Sequence, residues 1–441
     1  MRLNVLVVGG EDVAADLSLV FSRLKAKVRR VSGGGQIRQA LRASSPTVIF
    51  DADFYAAQNG EEERILGLLQ KSKKDFIVVS SRKDPARILA LIGRGAADYI
   101  LKPYNTRELI MRFNAVRLKK IRIACLGGGT GLFTLLLGLK ALPNALLTSI
   151  VSMSDDGGSS GKLSQQFGIL PPGDVRRSLV ALSNAPEVMN QIMQHRFNKG
   201  GELHGHSFGN IFLTVLAEVK GSMSEAVKTL SDILNIQGIV LPATRTPTCL
   251  VAQFENGKVI RGESRIDVGA GRGPELRIRK LWHEPEPESD ADAFASILAA
   301  DFVILGPGDL YTSVITNLAL KNIRLAVTRT RAKKIYICNL MTKPGETARF
   351  DALDHVKEIL KYLGRDALDR VLISDSELSE ESAEEYSKKN QFPVAAGDLK
   401  KIRKITHAGI LLADVGNQTE LVRHDSVKLR REIEKIIEKE A

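Results

Sequence analysis

The 441-residue chain is poor in the residues that mark several protein classes. Its 3 cysteines, Cys125, Cys249 and Cys338, lie far apart and form no CxxC pair. So sparse and odd a set excludes a disulfide-stapled fold and fits reduced, buried thiols in the cytoplasm. The 7 histidines have no HExxH spacing, and His204 and His206 sit two apart in a loop, which argues against a zinc site. No run of about 18 uncharged apolar residues occurs, so no membrane-spanning helix is expected. The opening MRLNVLVVGGEDVAADL lacks a small-residue cleavage pattern and reads as a first β-strand, not a signal peptide. Basic runs interleaved with aromatics are also missing. Lysine and arginine are scattered, so the formal net charge of +12 reads as a solvated basic surface around an anionic small ligand, with no nucleic-acid partner.

What is present is ordinary for a folded chain: 44% hydrophobic and 26% charged residues, enough for a large core. The chemistry concentrates in residues 121–174. An apolar strand (Ile121 to Leu126) turns through Gly127, Gly128, Gly129, Thr130 and Gly131 into an apolar helix. A second strand, Leu147 to Met153, ends in Asp155-Asp156-Gly157-Gly158-Ser159-Ser160-Gly161. Glycine lets backbone N–H groups wrap an oxyanion, and a helix N-terminus adds partial positive charge. Adjacent carboxylates can hold a divalent cation, here through Asp155 and Asp156, or a ligand hydroxyl. Together the two loops point to a phosphate-bearing ligand at the carboxyl ends of a parallel sheet.

Residues 1 to 117 alternate strand and helix. Strands are expected at Leu3 to Val8, Lys27 to Val31, Thr47 to Phe50, Phe76 to Ser80 and Asp98 to Leu101, with helices such as Gln36 to Ala43 and Pro85 to Gly93. Asp51 follows the third strand, Ser80-Ser81 ends the fourth, and Gly95-Ala-Ala-Asp-Tyr-Ile-Leu-Lys102-Pro103 spans the fifth. This segment resembles a response-regulator receiver domain, with Asp51 as the phosphoacceptor candidate. Receivers hold Mg²⁺ with an acidic pair after the first strand, and here Gly9-Gly10 stand there, with Glu11 and Asp12 displaced. Either Glu11 or Asp12 substitutes, or the segment is a pseudo-receiver used for docking, the reading we favour. The join RLKKIR (117–122) is too short for a flexible linker, so the two sheets are expected to sit close.

Further clusters follow. ILPPGDVRR (169–177) is a turn and helix start with Asp174 as a cap and Arg176 behind it. LHGHSFGN (203–210) precedes a helix expected at Ile211 to Val219 and carries Ser207 and Asn210. DFVILGPGDLYTS (301–313) is a buried strand, then Gly306, Gly308, Tyr311, Thr312 and Ser313. KIYICN (334–339) is a buried strand ending at Asn339, followed by MTKPGET. Two familiar patterns fail on context. Gly205-His206-Ser207-Phe208-Gly209 matches G-x-S-x-G, but no strand precedes it, so Ser207 reads as a helix cap or phosphate contact. DGGSSGKLS (156–164) has Asp156 where a Walker A loop needs glycine, and Leu163 after Lys162. GGGTG likewise lacks the third glycine of the dinucleotide fingerprint.

Eight ordered clusters make residues 121 to about 430 similar to the YvcK/CofD family: GGGTG (127–131), SDDGGSSGKL (154–163), LPPGDVR (170–176), GHSFGN (205–210), VLPAT (240–244), GPGDLYTS (306–313), KPGET (343–347) and VRHDSVKL (422–429). The forms of DDGGSSGKL, LPPGD and KPGET resemble the YvcK branch. The resemblance implies an α/β chain: a flavodoxin-like receiver-like domain (1–117), then a Rossmann-like doubly wound domain (118–441). It implies a UDP-sugar ligand, UDP-N-acetylglucosamine or UDP-glucose, and a regulatory role in gluconeogenic growth, cell-wall synthesis and cell shape. The CofD branch offers the alternative: transfer of a phospholactyl-type group from a nucleoside-diphosphate donor with Mg²⁺. There Asp155 or Asp156 would bind the metal or orient the acceptor, and Lys162 or Arg176 would offset charge on the leaving diphosphate. In both branches the Gly127–Gly131 turn and the 306–313 loop should hold phosphates through backbone N–H groups. Tyr386 and Arg423 correspond to sugar-nucleotide positions of the YvcK branch, and Asn210 and Asn339 are base or ribose candidates. A deazaflavin acceptor wants a ring-stacking slot, which 5% aromatics and a lone Trp282 disfavour. A protein partner is expected through the receiver-like domain, with a pure interaction module as the third reading and a homo-oligomer as an open alternative.

Overall fold

The computed structural model describes residues 4–22, 24–42, 47–58, 60–199, 201–268, 276–417 and 422–440. Apolar runs bounded by polar turns become β1 (Asn4–Val8), β2 (Lys27–Val31), β3 (Thr47–Asp51), β4 (Phe76–Ser80) and β5 (Asp98–Leu101). They pair in parallel in the order β2-β1-β3-β4-β5. The interior strand β4, FIVVS, is buried throughout, whereas the edge strand β2, KVRRV, exposes its charges. The expected strands agree to within a residue; Leu3 and Ala43, the ends of two expected elements, lie outside the described residues.

Strand order reverses between β1 and β3, and Asp51 ends β3 beside that crevice. Its carboxylate is 3% exposed; Lys102 Nζ lies 2.8 Å from Oδ1, and the Gly10 N–H donates to Oδ2 at 3.3 Å. A Cβ on Gly9 would come 2.3 Å from the Asp51 Cβ, so this backbone admits no larger residue there. Glu11 turns outward, 3.7 Å from Arg30, and Asp12 is exposed, so neither reaches Asp51.

The helix Thr106–Arg117 closes the first unit, and β6 (Ile121–Gly127) begins the second after three residues. β7 (Ala145–Val151) and β8 (Ile239–Pro242) follow. Next come β9 (Cys249–Phe254), β10 (Val259–Arg261) and β11 (Ile278–Glu284), a small antiparallel sheet in the order β10-β9-β11. β12 (Phe302–Leu305), β13 (Lys333–Ile337), β14 (Arg370–Ser374) and β15 (Gly409–Ala413) complete a seven-stranded parallel sheet, β15-β14-β13-β12-β6-β7-β8. A ribbon of β16 (Gly416–Asn417) and β17 (Arg423–His424) folds over near its end. β7 starts and stops two residues before the expected Leu147 to Met153, because the chain leaves the ladder after Ser152 donates to the Gly127 carbonyl at 3.0 Å. Mixed α/β architecture with two parallel sheets is thus the fold.

The two units are packed together. The alanine-rich helix Ala291–Ala299 is buried along its length and lies against β5 and the helix Pro85–Gly93. Small side chains let these backbones approach, and a buried charge network fixes the contact. Arg112, 2% exposed, donates to Glu108 and Asp98 at 2.9 Å each and to Ser296 Oγ across the interface. Arg107 reaches Asn235 Oδ1 at 2.8 Å, and Arg122 pairs with Asp301 at 2.9 Å while also donating to the Ala97 carbonyl. The short basic join therefore does hold the sheets close. No helix among the described residues is long and apolar enough to cross a membrane.

Candidate functional site

From the interior strand β6 the chain builds β7 and β8 on one side, then returns to place β12 to β15 on the other. The switch point lies between β6 and β12, and loops leaving two neighbouring strands in opposite directions open a crevice there. The loop after β6 is GGGTG and the loop after β12 is GPGD, so two glycine-rich segments distant in sequence meet. They touch backbone to backbone: a Cβ on Gly131 would stand 2.4 Å from the Pro307 carbonyl oxygen. Gly129 has φ +62° and Gly306 φ +77°, conformations that disfavour other residues. A Cβ on Gly127 would meet ordinary contacts, so its requirement is milder.

A cleft of about 370 Å³ opens over this crossing. Thr130, Gly131, Gly308, Asn339, Tyr386 and Arg423 line it, six of the residues expected from the sequence. The helix Gly129–Leu139 begins at its wall, so the N–H groups of Thr130 and Gly131 face no intrahelical carbonyl. Tyr386, 9% exposed, accepts the Val422 N–H at 2.9 Å and so ties the helix Glu380–Lys388 to the segment bearing Arg423. Arg423 is exposed at the rim. Asn339, just beyond β13, donates Nδ2 to the Gly308 carbonyl at 2.8 Å.

Other expected residues are placed elsewhere. The loop N–H groups of 129 and of 311–312, expected to hold phosphates, are taken by internal carboxylates. Asp174 Oδ2 accepts the Gly129 N–H at 2.8 Å, and a Cβ on Gly128 would sit 2.6 Å from it. Burial pushes the Asp174 carboxyl up, against the pull of Arg177. Glu346 accepts the Tyr311 N–H at 2.8 Å and the Thr312 hydroxyl at 2.7 Å. Tyr311 is 1% exposed with its hydroxyl toward the Ile278 carbonyl, so its side chain and that of Thr312 belong to the core. Ser313 is also buried, its hydroxyl close to the Gly128–Gly129 turn.

Asp155 Oδ1 accepts the Gly157 N–H at 3.0 Å, while Asp156 Oδ1 turns to the Ser264 N–H at 2.7 Å. The pair thus diverges, and among the described residues it assembles no metal set with a third ligand. Glu263, beside them, is pushed well above the ordinary range by burial and by the Asp155 charge. Lys162 is exposed. Ser207, 1% exposed, caps the helix Phe208–Lys220 by accepting the Asn210 N–H, so the G-x-S-x-G serine is a helix cap. Asn210 is buried in a network away from the cleft lining. Arg176 Nε donates to its Oδ1 at 2.9 Å, its Nδ2 donates to Ser159 Oγ at 3.1 Å, and Ser159 meets His206 Nδ1 at 3.1 Å. Burial, with Arg177 and Arg196 nearby, lowers Arg176 to about 10.

Residues missed by sequence reasoning stand beside the cleft. Lys343 Nζ pairs with Asp267, with Asp309 at 2.6 Å and with Glu346 at 3.6 Å. Among the described residues these three carboxylates are the set close enough to share a metal ion, and the lysine ammonium already supplies a cation among them. Burial, then Asp309, raises Glu346 to about 7; Lys343 is held above its usual value by the same carboxylates despite burial. The i, i+3 spacing of Lys343 and Glu346 within KPGET was the available signal.

Comparison with known proteins agrees with this architecture. Residues 123–413 match the family model described as 2-phospho-L-lactate transferase CofD. The chain is 40% identical over 330 residues to a relative from Aquifex aeolicus, covering 73% of this chain and 98% of that one. It is 39% identical over 314 residues to a protein named gluconeogenesis factor from Bacillus subtilis, covering 70% and 96%. A crystal structure of a UPF0052 family member from Bacillus halodurans superposes with a TM-score of 0.67 at 36% identity, covering 71% of this chain and 99% of that one. With the glycine-loop crossing, the seven-stranded sheet and relatives matched over almost their whole lengths, the chain belongs to the CofD/UPF0052 family.

Proposed function

We propose that this protein is a cytoplasmic regulator that binds a UDP-sugar, such as UDP-N-acetylglucosamine or UDP-glucose, in the switch-point cleft. The observation that carries the reading is the convergence of Thr130, Gly131, Tyr386 and Arg423 on one cleft. Helix-start N–H groups and a guanidinium suit a diphosphate, and a tyrosine beside them suits a sugar or base. Relatives named gluconeogenesis factor support a link to central carbon metabolism, and we add to the proposal a role in cell-wall synthesis and cell shape. The family description supports the second reading, a transferase using a nucleoside-diphosphate donor. Against it stand the diverging Asp155 and Asp156 and the lysine among the neighbouring carboxylates.

The N-terminal unit we read as a pseudo-receiver. Its strand order, the Asp51–Lys102 pair and the closed space at Gly9 support a receiver-type frame without the acidic pair for Mg²⁺. It serves as a docking element for a protein partner.

Calorimetric titration with UDP-N-acetylglucosamine, UDP-glucose and GDP, with and without Mg²⁺ and with product analysis, tests the proposal. Saturable UDP-sugar binding without product, lost in Gly129→Asp and Arg423→Ala, is the expected result. Preference for GDP, or Mg²⁺-dependent consumption of a nucleotide donor, replaces the regulator with the transferase.

A further inference from the structure

Three donors in the N-terminal unit converge on the carboxylate of Asp53. Ser80 Oγ donates to Oδ1 at 2.5 Å, the Ser81 N–H donates to Oδ2 at 2.7 Å, and Lys102 Nζ lies 3.1 Å from Oδ2. A hydroxyl, a backbone N–H and an ammonium, delivered by the ends of the paired strands β4 and β5, make a seat suited to an oxyanion. Burial pushes the Asp53 carboxyl up, but these bonds outweigh it and hold the group below its ordinary value, so it is charged at neutral pH. Asp51 leaves the seat to Asp53: its Oδ1 pairs with Lys102 at 2.8 Å and its Oδ2 accepts the Gly10 N–H. The seat is also continuous with the contact between the two units. Fully buried Tyr99 donates its hydroxyl to the Arg82 carbonyl at 2.7 Å, so the loop after Ser81 is pinned at a second point. Asp84 then caps the helix Pro85–Gly93 by accepting the Arg87 N–H at 2.9 Å, and that helix lies against Ala291–Ala299. From Lys102, β5 leads back to Asp98, whose partner Arg112 reaches Ser296 in the second unit.

We propose that Asp53 is a built-in anion that locks the loop 80–84, and through it the helix Pro85–Gly93, in the position that docks on the helix Ala291–Ala299. Were the seat to depend on an anion from solution, docking would follow that anion's concentration. Here the anion is tethered to the chain two residues after β3, so the seat is filled at all times and the two units stay joined without a signal. The side chain of Asp53 is 26% exposed, so its removal opens the seat to solvent instead of leaving a sealed void. An Asp53→Ala chain therefore presents the Ser80 hydroxyl, the Ser81 N–H and the Lys102 ammonium to inorganic phosphate. The pseudo-receiver reading explains an idle Asp51; the lock is a further property, and it follows from the donors around Asp53 and the path to the second unit.

The test is amide hydrogen exchange of the full chain, read by mass spectrometry over residues 80–93 and 291–300, in sodium phosphate and in sodium chloride of equal ionic strength. In chloride, both segments of Asp53→Ala are expected to exchange roughly tenfold or more faster than in the unmodified chain. Phosphate should restore the slow exchange in Asp53→Ala, leave the unmodified chain unchanged, and fail to restore the double variant Asp53→Ala/Ser80→Ala. Ser80→Ala alone keeps the carboxylate and removes one of its three donors, so it carries the test if Asp53→Ala does not fold; the same two segments should quicken, by a smaller factor. Faster exchange confined to residues 80–84 overturns the link to the second unit. Exchange in Asp53→Ala that phosphate does not slow makes Asp53 an ordinary packing residue and overturns the anion seat. Slowing by phosphate that persists in the double variant places the phosphate elsewhere and overturns it equally.

Discussion

Gly131→Ala is the smallest change that addresses the crossing of the two loops directly. The added Cβ would lie 2.4 Å from the Pro307 oxygen, 2.6 Å from its carbonyl carbon and 2.8 Å from the Gly308 nitrogen, all backbone atoms. Ordinary contact begins at 3.4 Å, so one loop must retreat by about 1 Å. Overpacking of this kind costs about 1–3 kcal/mol, and a displacement of that size in a positioned site costs up to about 100-fold in function. We expect a fall of a few degrees in Tm and at least a tenfold loss of UDP-N-acetylglucosamine affinity by calorimetry. Two controls separate local from global effects. Leu69→Ala, at a fully buried position of the N-terminal unit, should cost about 2–5 kcal/mol and leave affinity unchanged at temperatures well below melting. Gly67→Ala, in the helix Glu61–Ser72 with nothing within 4 Å of the new Cβ, should leave affinity unchanged and raise stability by about 0.4–1 kcal/mol. Gly131→Ala protein that binds the nucleotide sugar as tightly as the unmodified chain would refute the placement of the ligand at this crossing.

Arg112→Met strands the buried Asp98 and Glu108 carboxylates between the two units and should cost on the order of 3–5 kcal/mol, seen as an earlier, broader melting transition. Asp292, at the same interface, is raised to about 7, chiefly by burial and then by Glu108 and Asp290. A carboxyl with a raised folded pKa contributes stability at low pH that is lost as pH climbs from about 4 to 7. Asp292→Asn should therefore gain stability relative to the unmodified chain across that window; urea midpoints that run parallel from pH 4 to 7 would exclude this. Ser207→Ala removes a helix cap and should lower stability by about 1 kcal/mol while leaving nucleotide-sugar affinity and any turnover intact.

The sequence made the strands and their glycine-rich ends readable, because apolar runs bounded by turn residues carry that information locally. The crossing of those loops was readable only as an expectation, since it depends on which strands become neighbours. Tyr386 and Arg423 came from family likeness; nothing in their own surroundings marks them until the helix Glu380–Lys388 and the β16–β17 ribbon meet over the cleft. The internal partners that sequence reading did not foresee share one physical cause. GPGDLYTS looks like a phosphate cradle, but Glu346, more than thirty residues onward, satisfies the same N–H groups. Gly129 looks free until Asp174 is seen to cap it. A donor's availability depends on distant acceptors, and no local pattern reports that. Lys343 was passed over for the same reason: Asp267 and Asp309 reach it only through the fold.

The cleft draws its walls from residues near 130, near 308, near 340 and at 423–424, and Arg423 precedes the closing helix Ser426–Glu440 by only a few residues. During synthesis the last wall is translated long after the first. A nascent or prematurely terminated product can pair β6 with β7 and β8 yet has no closed cleft to offer a ligand. A closed cleft is therefore a property only of chains made through the β16–β17 ribbon.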